Sequence, residues 1–306
     1  MDLAIRTTRV VAAPPPAARR TGPSWLKIFF GGLALWLATV GVTFATGNVN
    51  LVPTIILVGS FLVPVTFVAY AFRHADEVVT AQRIFAAFIY GGVLGILGAS
   101  ILEAALLAHV SGVAYVAIGL IEEAVKLGAL WLLARRLPYY TRRDGMVLGA
   151  AVGFGFAAFE SAGYAFNAMF TKSGLSLLNL AETEALRGIL TPFGHGLWTA
   201  LLGGALFATA AYTKKPRLFS GEVFIWYLVV AALHALWDAS QPVAVWLMLV
   251  LTGTTAQWTM VRLGELPGVT QAQLDLFTVL YWGLLATVGL VGLVLVLVRW
   301  RLARQR

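Results

Sequence analysis

The sequence predicts an all-α polytopic membrane protein with about eight transmembrane helices. Of its 306 residues, 59% are hydrophobic and only 12% are charged, a composition typical of membrane proteins. Apolar runs of about twenty residues recur along the chain, and each is long enough to cross a bilayer. Most Lys and Arg residues lie in the short segments that flank these runs, where they determine orientation.

The remaining composition excludes several classes of function. The chain contains no cysteine, which excludes disulfides, thiolate metal sites and cysteine nucleophiles. Its formal net charge is +8, but the basic residues flank hydrophobic runs and do not indicate a nucleic-acid partner. The predicted surroundings are therefore the lipid bilayer.

The N-terminal segment, residues 1–24, is rich in Pro, Ala and Arg, which favours a disordered cytoplasmic tail. The apolar run that follows is about twenty residues long and lacks a clear small-residue cleavage site, unlike a signal peptide. We therefore expect a retained first helix and a single helical membrane domain over residues 25–306.

The eight spans are predicted at 25–45, 51–72, 84–107, 113–134, 145–170, 188–212, 222–240 and 274–298. If both termini are cytoplasmic, only Lys172, Arg187 and Arg262 among the basic residues of the connections lie outside. Segment 242–258 has an apolar core of about eleven residues, too short for a span, and is predicted as a re-entrant or interfacial helix. It would lie on the outer face, together with the loop at 171–187.

A stripe of small residues runs along the fifth predicted helix. Gly145, Gly149 and Gly153 follow one another at four-residue spacing, which places them on one face. Such a stripe lets a neighbouring helix approach closely, so its predicted role is helix packing.

The fourth predicted helix carries Glu122, Glu123 and Lys126 near its centre. Each ionised group there costs about 2.5–3.5 kcal/mol on insertion scales, so such residues are candidates for function. Both glutamates are within reach of Lys126, at spacings of three and four residues. One lysine compensates one carboxylate, and the second carboxylate remains for another role.

Other predicted helices add imidazoles and carboxylates. His234 and Asp238 are four residues apart on the seventh helix, where the aspartate could orient the imidazole, or both could bind a metal or a water. Glu160 lies in the fifth helix, and His195 lies between two glycines in the sixth. Glu103 has no motif around it and is interpreted as a structural or rim residue.

These groups share a depth in the membrane. Counted from the outer helix ends, Glu122 and Glu160 lie about ten residues in, His195 about eight, His234 about six and Asp238 about two. At about 1.5 Å per residue, all fall between the middle of the membrane and its outer surface. The sequence contains no HExxH, GxSxG, GxGD or phosphate-loop motif, which leaves a carboxylate–imidazole site acting on water.

Four motifs occur in order on successive predicted helices: EExxK (Glu122 to Lys126), FxxxE (Phe156 to Glu160), the isolated His195, and HxxxD (His234 to Asp238). This series resembles the PrsW branch of the CAAX-protease and bacteriocin-processing superfamily of intramembrane endopeptidases. The resemblance covers about residues 110–240, which it implies are the catalytic core. The implied catalytic residues are Glu122, Glu123, Glu160, His195, His234 and Asp238, supported by Lys126 and Phe156.

The resemblance also implies a substrate class and a location. PrsW-like members cut anti-sigma factors at an extracytoplasmic site, so we expect a single-span membrane protein as substrate, in the bacterial cytoplasmic membrane. The prenyl endopeptidases of the superfamily instead have Arg, His and Asn where this chain has Lys126, Glu160 and Asp238. That difference disfavours a prenylated substrate.

Two mechanisms stay open. In one, Glu122 or Glu123 acts as general base on water, and His195 or His234 stabilises the oxyanion or protonates the leaving amine. In the other, a divalent metal such as zinc is bound by His195, His234 and either Asp238 or Glu160. The mechanism without a metal cofactor is favoured.

A different class of function uses the same groups. Chains of carboxylates and histidines also form proton relays, so a proton-coupled transporter or channel is the alternative. The sequence has no repeat and no interrupted mid-membrane helix of the transporter kind. A receptor without catalytic activity is disfavoured because every motif position is filled.

Overall fold

The computed structural model describes residues 24–74, 78–107, 114–213, 215–265 and 267–303. The tail predicted at 1–24 lies outside the described residues except for Ser24. The described part of the chain is almost entirely α-helical and contains a single two-stranded hairpin. The predicted all-α class is confirmed.

The helices follow one another with short connections. In chain order they are α1 (Trp25–Thr46), α2 (Val52–His74), α3 (Ala81–Leu106), α4 (Ala114–Ala134), α5 (Arg142–Ala168), α6 (Leu177–Leu190), α7 (His195–Thr213), α8 (Gly221–Asp238), α9 (Ser240–Thr252), α10 (Thr255–Arg262) and α11 (Gln271–Leu302). The hairpin consists of β1 (Phe170–Thr171) and β2 (Gly174–Leu175), paired antiparallel between α5 and α6.

Six of the described helices are long and apolar enough to cross a membrane: α1, α2, α3, α5, α8 and α11. Two others among the eight predicted spans, α4 and α7, are not among these six. Helix α4 carries three charged residues at its centre, and α7 is rich in Gly, Ala and Thr. The chain is thus a polytopic helical membrane protein, and both α4 and α7 contribute site residues.

Helix α5 is the centre of the bundle, with 83% of its most apolar stretch buried. It packs against α2, α3 and α7, while α4 packs against α3 and α8. At the periphery, α1 has a mean hydropathy of 1.9 but only 11% of that stretch is buried. Because so much exposed apolar surface is unfavourable in water, lipid must cover it, as in an integral membrane protein.

The glycine stripe forms the contact between α5 and α7. A Cβ atom on Gly145, Gly149 or Gly153 would overlap a backbone carbonyl oxygen of α7, and opposite Gly153 that oxygen belongs to His195. The absence of side chains therefore lets the two backbones touch. At its outer end, this contact also determines where the first histidine of the site lies.

The sixth predicted span is wrong at its beginning. A continuous helix was expected from residue 188, but α6 ends at Leu190, a 3₁₀ turn follows over Thr191–Phe193, and α7 begins at His195. Pro192 lacks a backbone N–H, and Gly194 has φ −112° and ψ −129°, outside the helical region. His195 is consequently the first residue of its helix rather than a residue eight positions inside it.

The two predicted outer segments contain more structure than expected. The segment 171–187 was expected to be a loop, but it contains most of the hairpin and of α6, which packs against α2 and α5. The segment 242–258 is not one helix but parts of α9 and α10, which are separated at Gly253 and Thr254. Gly253 is extended and follows the end of α9, and Thr254 caps the start of α10 through a reciprocal hydrogen-bond pair with Gln257.

Candidate active site

Helix α4 carries a buried charge cluster. Glu122, Glu123 and Lys126 are only 7%, 0% and 0% exposed. The Lys126 ammonium donates a hydrogen bond to Glu123 Oε1 at 2.8 Å and lies 3.1 Å from Glu122 Oε2. The sequence predicts that Lys126 compensates one glutamate, whereas in the structure its ammonium contacts both.

Phe156 is the aromatic residue of the FxxxE motif, and its ring contacts two groups of the site. The Lys126 ammonium lies 4.0 Å from the centroid of this ring, a cation–π contact in a desolvated setting. The Phe156 and His195 rings also contact each other, with centroids 5.1 Å apart. Phe156 thus supports both the cation and the imidazole.

His195 joins α4 to α5. The Lys126 ammonium donates to its Nδ1 at 2.9 Å, and its Nε2 lies 3.1 Å from Glu160 Oε2. Because a lysine ammonium can only donate, Nδ1 is the acceptor and Nε2 carries the proton that is donated to Glu160. This network assigns the imidazole a single neutral tautomer.

His234 joins α8 to the same cluster and is only 1% exposed. Its Nδ1 donates to Glu123 Oε1 at 3.0 Å. Its Nε2 lies 3.5 Å from Glu122 Oε2 and 3.4 Å from Asp238 Oδ2. Two further carboxylates therefore lie near Nε2.

Two further residues of the site were not predicted from the sequence. Trp198 is completely buried, and its ring lies 4.9 Å from that of His234 and 5.3 Å from that of His195. It follows His195 by three residues on one helical face, which was an available signal. Its indole restricts how both imidazoles can turn.

The other missed residue is Arg187 on α6. Its guanidinium pairs with Glu160, its Nε donates to Ser161 Oγ at 2.7 Å, and it covers the Tyr164 ring at 4.3 Å. A basic residue on the outer side is an exception to the orientation rule, and that exception was the available signal. Arg187 therefore connects α6 to Glu160 of the cluster.

A cleft of about 430 Å³ between α3, α4 and α5 leads to the cluster. Glu122 and Glu160 line it, whereas His195 and His234 are not among its lining residues. Glu103, interpreted from the sequence as a rim residue, also lines this cleft. The two motif carboxylates therefore face the cleft, and the imidazoles contact those carboxylates from the protein side.

Part of the cluster fits a divalent metal. Within the described residues, Glu122, His195 and His234 have ligand atoms within 4.8 Å of one another. Glu160 and Glu123 each contact the second nitrogen of an imidazole, the outer-shell arrangement common around metal-bound histidines. The sequence predicts Asp238 or Glu160 as the third ligand, whereas the structure offers Glu122.

The same space already contains a cation, because the Lys126 ammonium touches both Glu122 and His195 Nδ1. A bound metal would compete with this ammonium for the same oxygen and nitrogen. The ligand set therefore fits a metal in number and type, with Lys126 as the competing positive charge.

Residues predicted from four separate helices are thus in contact in the structure. Glu122 and Glu123 on α4, Glu160 on α5, His195 on α7 and His234 on α8 form one connected network. Asp238 touches the network through His234. Carboxylates and imidazoles at the end of a cleft inside a membrane bundle can activate water, which is the chemistry that an intramembrane hydrolase needs.

Comparison with known families agrees with this class. A family model described as PrsW family intramembrane metalloprotease matches residues 79–263, more than half of the chain. The chain therefore belongs to the PrsW family and is an integral membrane protease. Comparison with curated proteins and with solved structures returned no match.

Proposed function

We propose that this protease hydrolyses a peptide bond of a membrane-anchored protein near the extracytoplasmic face of the membrane, with a glutamate-activated water. The observation that carries the proposal is the position of Glu122. Its carboxylate lines the cleft, contacts Lys126 and His234, and is otherwise buried. A carboxylate in this position can accept a hydrogen bond from a water molecule in the cleft and pass the proton that it removes to a neighbouring group.

Glu122, rather than Glu123, is the proposed general base. Glu123 is completely buried, and its Oε1 accepts hydrogen bonds from both Lys126 and His234. It is therefore occupied in orienting these two groups. Glu122, in contrast, lines the cleft and is 7% exposed.

The proposed reaction needs one proton to travel from water to the leaving amine. Glu122 removes a proton from water as the oxygen attacks the carbonyl carbon, and the C–N bond breaks when the nitrogen is protonated. His234 Nε2, between Glu122 and Asp238, can hold a proton during this transfer. Lys126 balances the charges of two carboxylates throughout, which offsets their desolvation.

If a divalent metal binds, Glu122, His195 and His234 would hold it, and it would supply Lewis-acid activation of water. We favour the mechanism in which Lys126 is the resident cation, supported by its contacts with Glu122 and His195. The resemblance to PrsW-like proteases further supports an anti-sigma factor as substrate and the bacterial cytoplasmic membrane as location.

The proposed base is tested by mapping new protein N-termini in membranes of cells that express the wild type, Glu122→Gln or Glu123→Gln. We expect wild-type cells to contain cleavage products that Glu122→Gln lowers by about 100-fold or more, since a general base contributes that much. Glu123→Gln should lower cleavage less, because it disturbs orientation but leaves the base. Glu182→Gln, an exposed carboxylate change on α6, is the matched control. Cleavage that survives Glu122→Gln at equal protein level would contradict the assignment.

The role of a metal is tested with the purified protease and one substrate whose cleavage site has been identified by the N-terminal mapping. We expect a strong zinc chelator to leave the rate unchanged within about twofold, because the Lys126 ammonium already supplies the positive charge of the site. Loss of activity with the chelator, restored by added zinc, would instead assign the reaction to a metal on Glu122, His195 and His234.

A further inference from the structure

Glu103 is a carboxylate of the cleft that the catalytic motifs do not include. It lies one turn before the end of α3 and lines the same cleft as Glu122 and Glu160. Its Oε1 is buried and has no hydrogen-bond partner among the described residues. The structure thus leaves a buried carboxylate oxygen of a cleft-lining residue without a hydrogen-bond partner, in the same cleft as the proposed base.

The other carboxylates of this region differ from Glu103 in their partners. Glu122 contacts Lys126, and Glu160 contacts both Arg187 and His195. In the described structure no basic side chain forms a salt bridge with Glu103. The cleft therefore has one carboxyl group with which no described basic side chain forms a salt bridge, in a setting where opposite charges attract strongly.

The walls beside Glu103 fit a long side chain. Ile96 and Phe159 provide apolar and aromatic surface in the cleft. Lys and Arg side chains bury their aliphatic stems along such surface and place the charged head on an acceptor, and Arg also stacks on aromatic rings. An apolar wall that ends at an unpaired carboxylate matches this chemistry.

We propose that Glu103 is a specificity-determining residue that binds a Lys or Arg side chain of the substrate close to the scissile bond. Because Glu103 and Glu122 line one cleft, we place the basic residue within about three positions of the cut, a stretch that spans roughly 10 Å when extended. This inference rests on the proposed protease function. It predicts substrates that carry a basic residue at the outer membrane boundary, where Lys and Arg are otherwise depleted.

The first experiment separates the two proposals. Cleavage sites are identified by mapping new protein N-termini in membranes of cells that express the wild type or Glu122→Gln. If no site depends on Glu122, the proposed catalytic mechanism is wrong. If sites depend on Glu122, we expect Lys or Arg to be enriched within three positions of the cut, relative to the uncut outer flanks of other membrane proteins. Sites without that enrichment overturn the role of Glu103 and leave the protease assignment intact.

The second experiment is a charge exchange on the most strongly cut substrate. Replacing its basic residue with Gln should lower kcat/KM by about 10- to 100-fold for the wild type, the range of a hydrogen bond to a charged group. The same substrate replacement should lower kcat/KM much less for the Glu103→Gln protease, because the carboxylate that pairs with the basic residue is already missing. A Glu103→Arg protease should recover cleavage when the substrate residue is changed to Glu.

The control variant is Glu182→Gln, which should keep the full preference for the basic substrate. Equal losses of kcat/KM on the basic and the neutral substrate in Glu103→Gln would mean a merely structural role. Failure of the charge-exchanged pair to recover, when both partners are expressed and folded, would likewise overturn the proposal.

Discussion

At the scale of single residues, Glu160 connects three helices of the site. It lies on α5 and contacts His195 of α7 and Arg187 of α6. A buried carboxylate is tolerated when such partners compensate its charge, and removal of a partner is costly. We therefore expect Arg187 to be a positioning residue, which acts through Glu160 and His195 rather than on the substrate.

This role predicts the effect of changing Arg187. We expect Arg187→Gln to lower kcat by about 10- to 100-fold, the usual effect of losing an outer-shell partner. Arg187→Lys should recover only part of the rate, because an ammonium cannot bind Glu160 and Ser161 as the planar guanidinium does. Cleavage rates on one substrate measure both effects. The exposed Lys172→Gln on the same side is the control, and unchanged kcat in Arg187→Gln would contradict the role.

At the scale of secondary-structure elements, α6 is held against its neighbouring helices by two polar contacts. Arg187 binds Glu160 on α5, and one turn earlier Glu184 accepts a hydrogen bond from Ser60 Oγ of α2 at 2.7 Å. Glu184 is only 2% exposed although α6 is not one of the six apolar spans. The helix that delivers Arg187 therefore depends on a buried carboxyl group.

Glu184 makes the packing of α6 depend on pH. Burial raises the pKa of Glu184 from 4.5 to about 7, against smaller opposite effects of Ser60 and Arg187. A detached α6 would lose this proton near pH 4.5 and the packed one near 7, so packing weakens as pH rises through this interval. We expect hydrogen exchange of α6 amides, corrected for intrinsic rates, to be faster at about pH 8 than at about pH 6.

The matched variant is Glu184→Gln, which keeps the shape and an acceptor for Ser60 but cannot ionise. Its α6 amides should show the same corrected exchange at both pH values. An equal acceleration in wild type and Glu184→Gln would assign the pH effect to another group.

At the scale of the whole molecule, polarity is arranged opposite to that of a water-soluble protein. The buried polar residues include Glu122, Glu123 and Lys126, while apolar side chains such as Phe85 and Ile101 are 67% and 68% exposed. Lipid stabilises such a surface, and the interior pairs its own charges. The predicted orientation, with both termini cytoplasmic, places the hairpin β1–β2 outside and the α4–α5 connection inside.

The absence of cysteine allows this orientation to be measured directly. We expect the variant Ser173→Cys, in the turn of the hairpin, to react with a membrane-impermeant maleimide in intact cells. Arg136→Cys, between α4 and α5, should react only after the membrane is opened, because the basic connections are retained on the cytoplasmic side. Labelling of the Arg136 variant alone in intact cells would reverse the predicted topology.

The sequence alone determined the class of protein and the residues that carry the motifs. Partition into lipid depends on local composition, so the apolar runs predict most of the long helices, and Glu122 and Lys126 are neighbours through spacing alone. Hydropathy did not predict the break before His195 or the division of segment 242–258. A single proline or capping residue interrupts a helix but hardly changes the mean hydropathy of the apolar run that contains it.

Only the tertiary structure decided which of these groups meet. Lys126 touches His195 from 69 residues away, and Glu123 touches His234 from 111 residues away. Such contacts depend on helix crossings, here the close approach of α5 and α7 along the glycine stripe. The same packing directs Glu122 to the cleft, buries Glu123, brings in Arg187 and leaves Glu103 without a partner among the described residues. Spacing along one helix is a local property, whereas the partners of a buried charge are determined by how several helices pack.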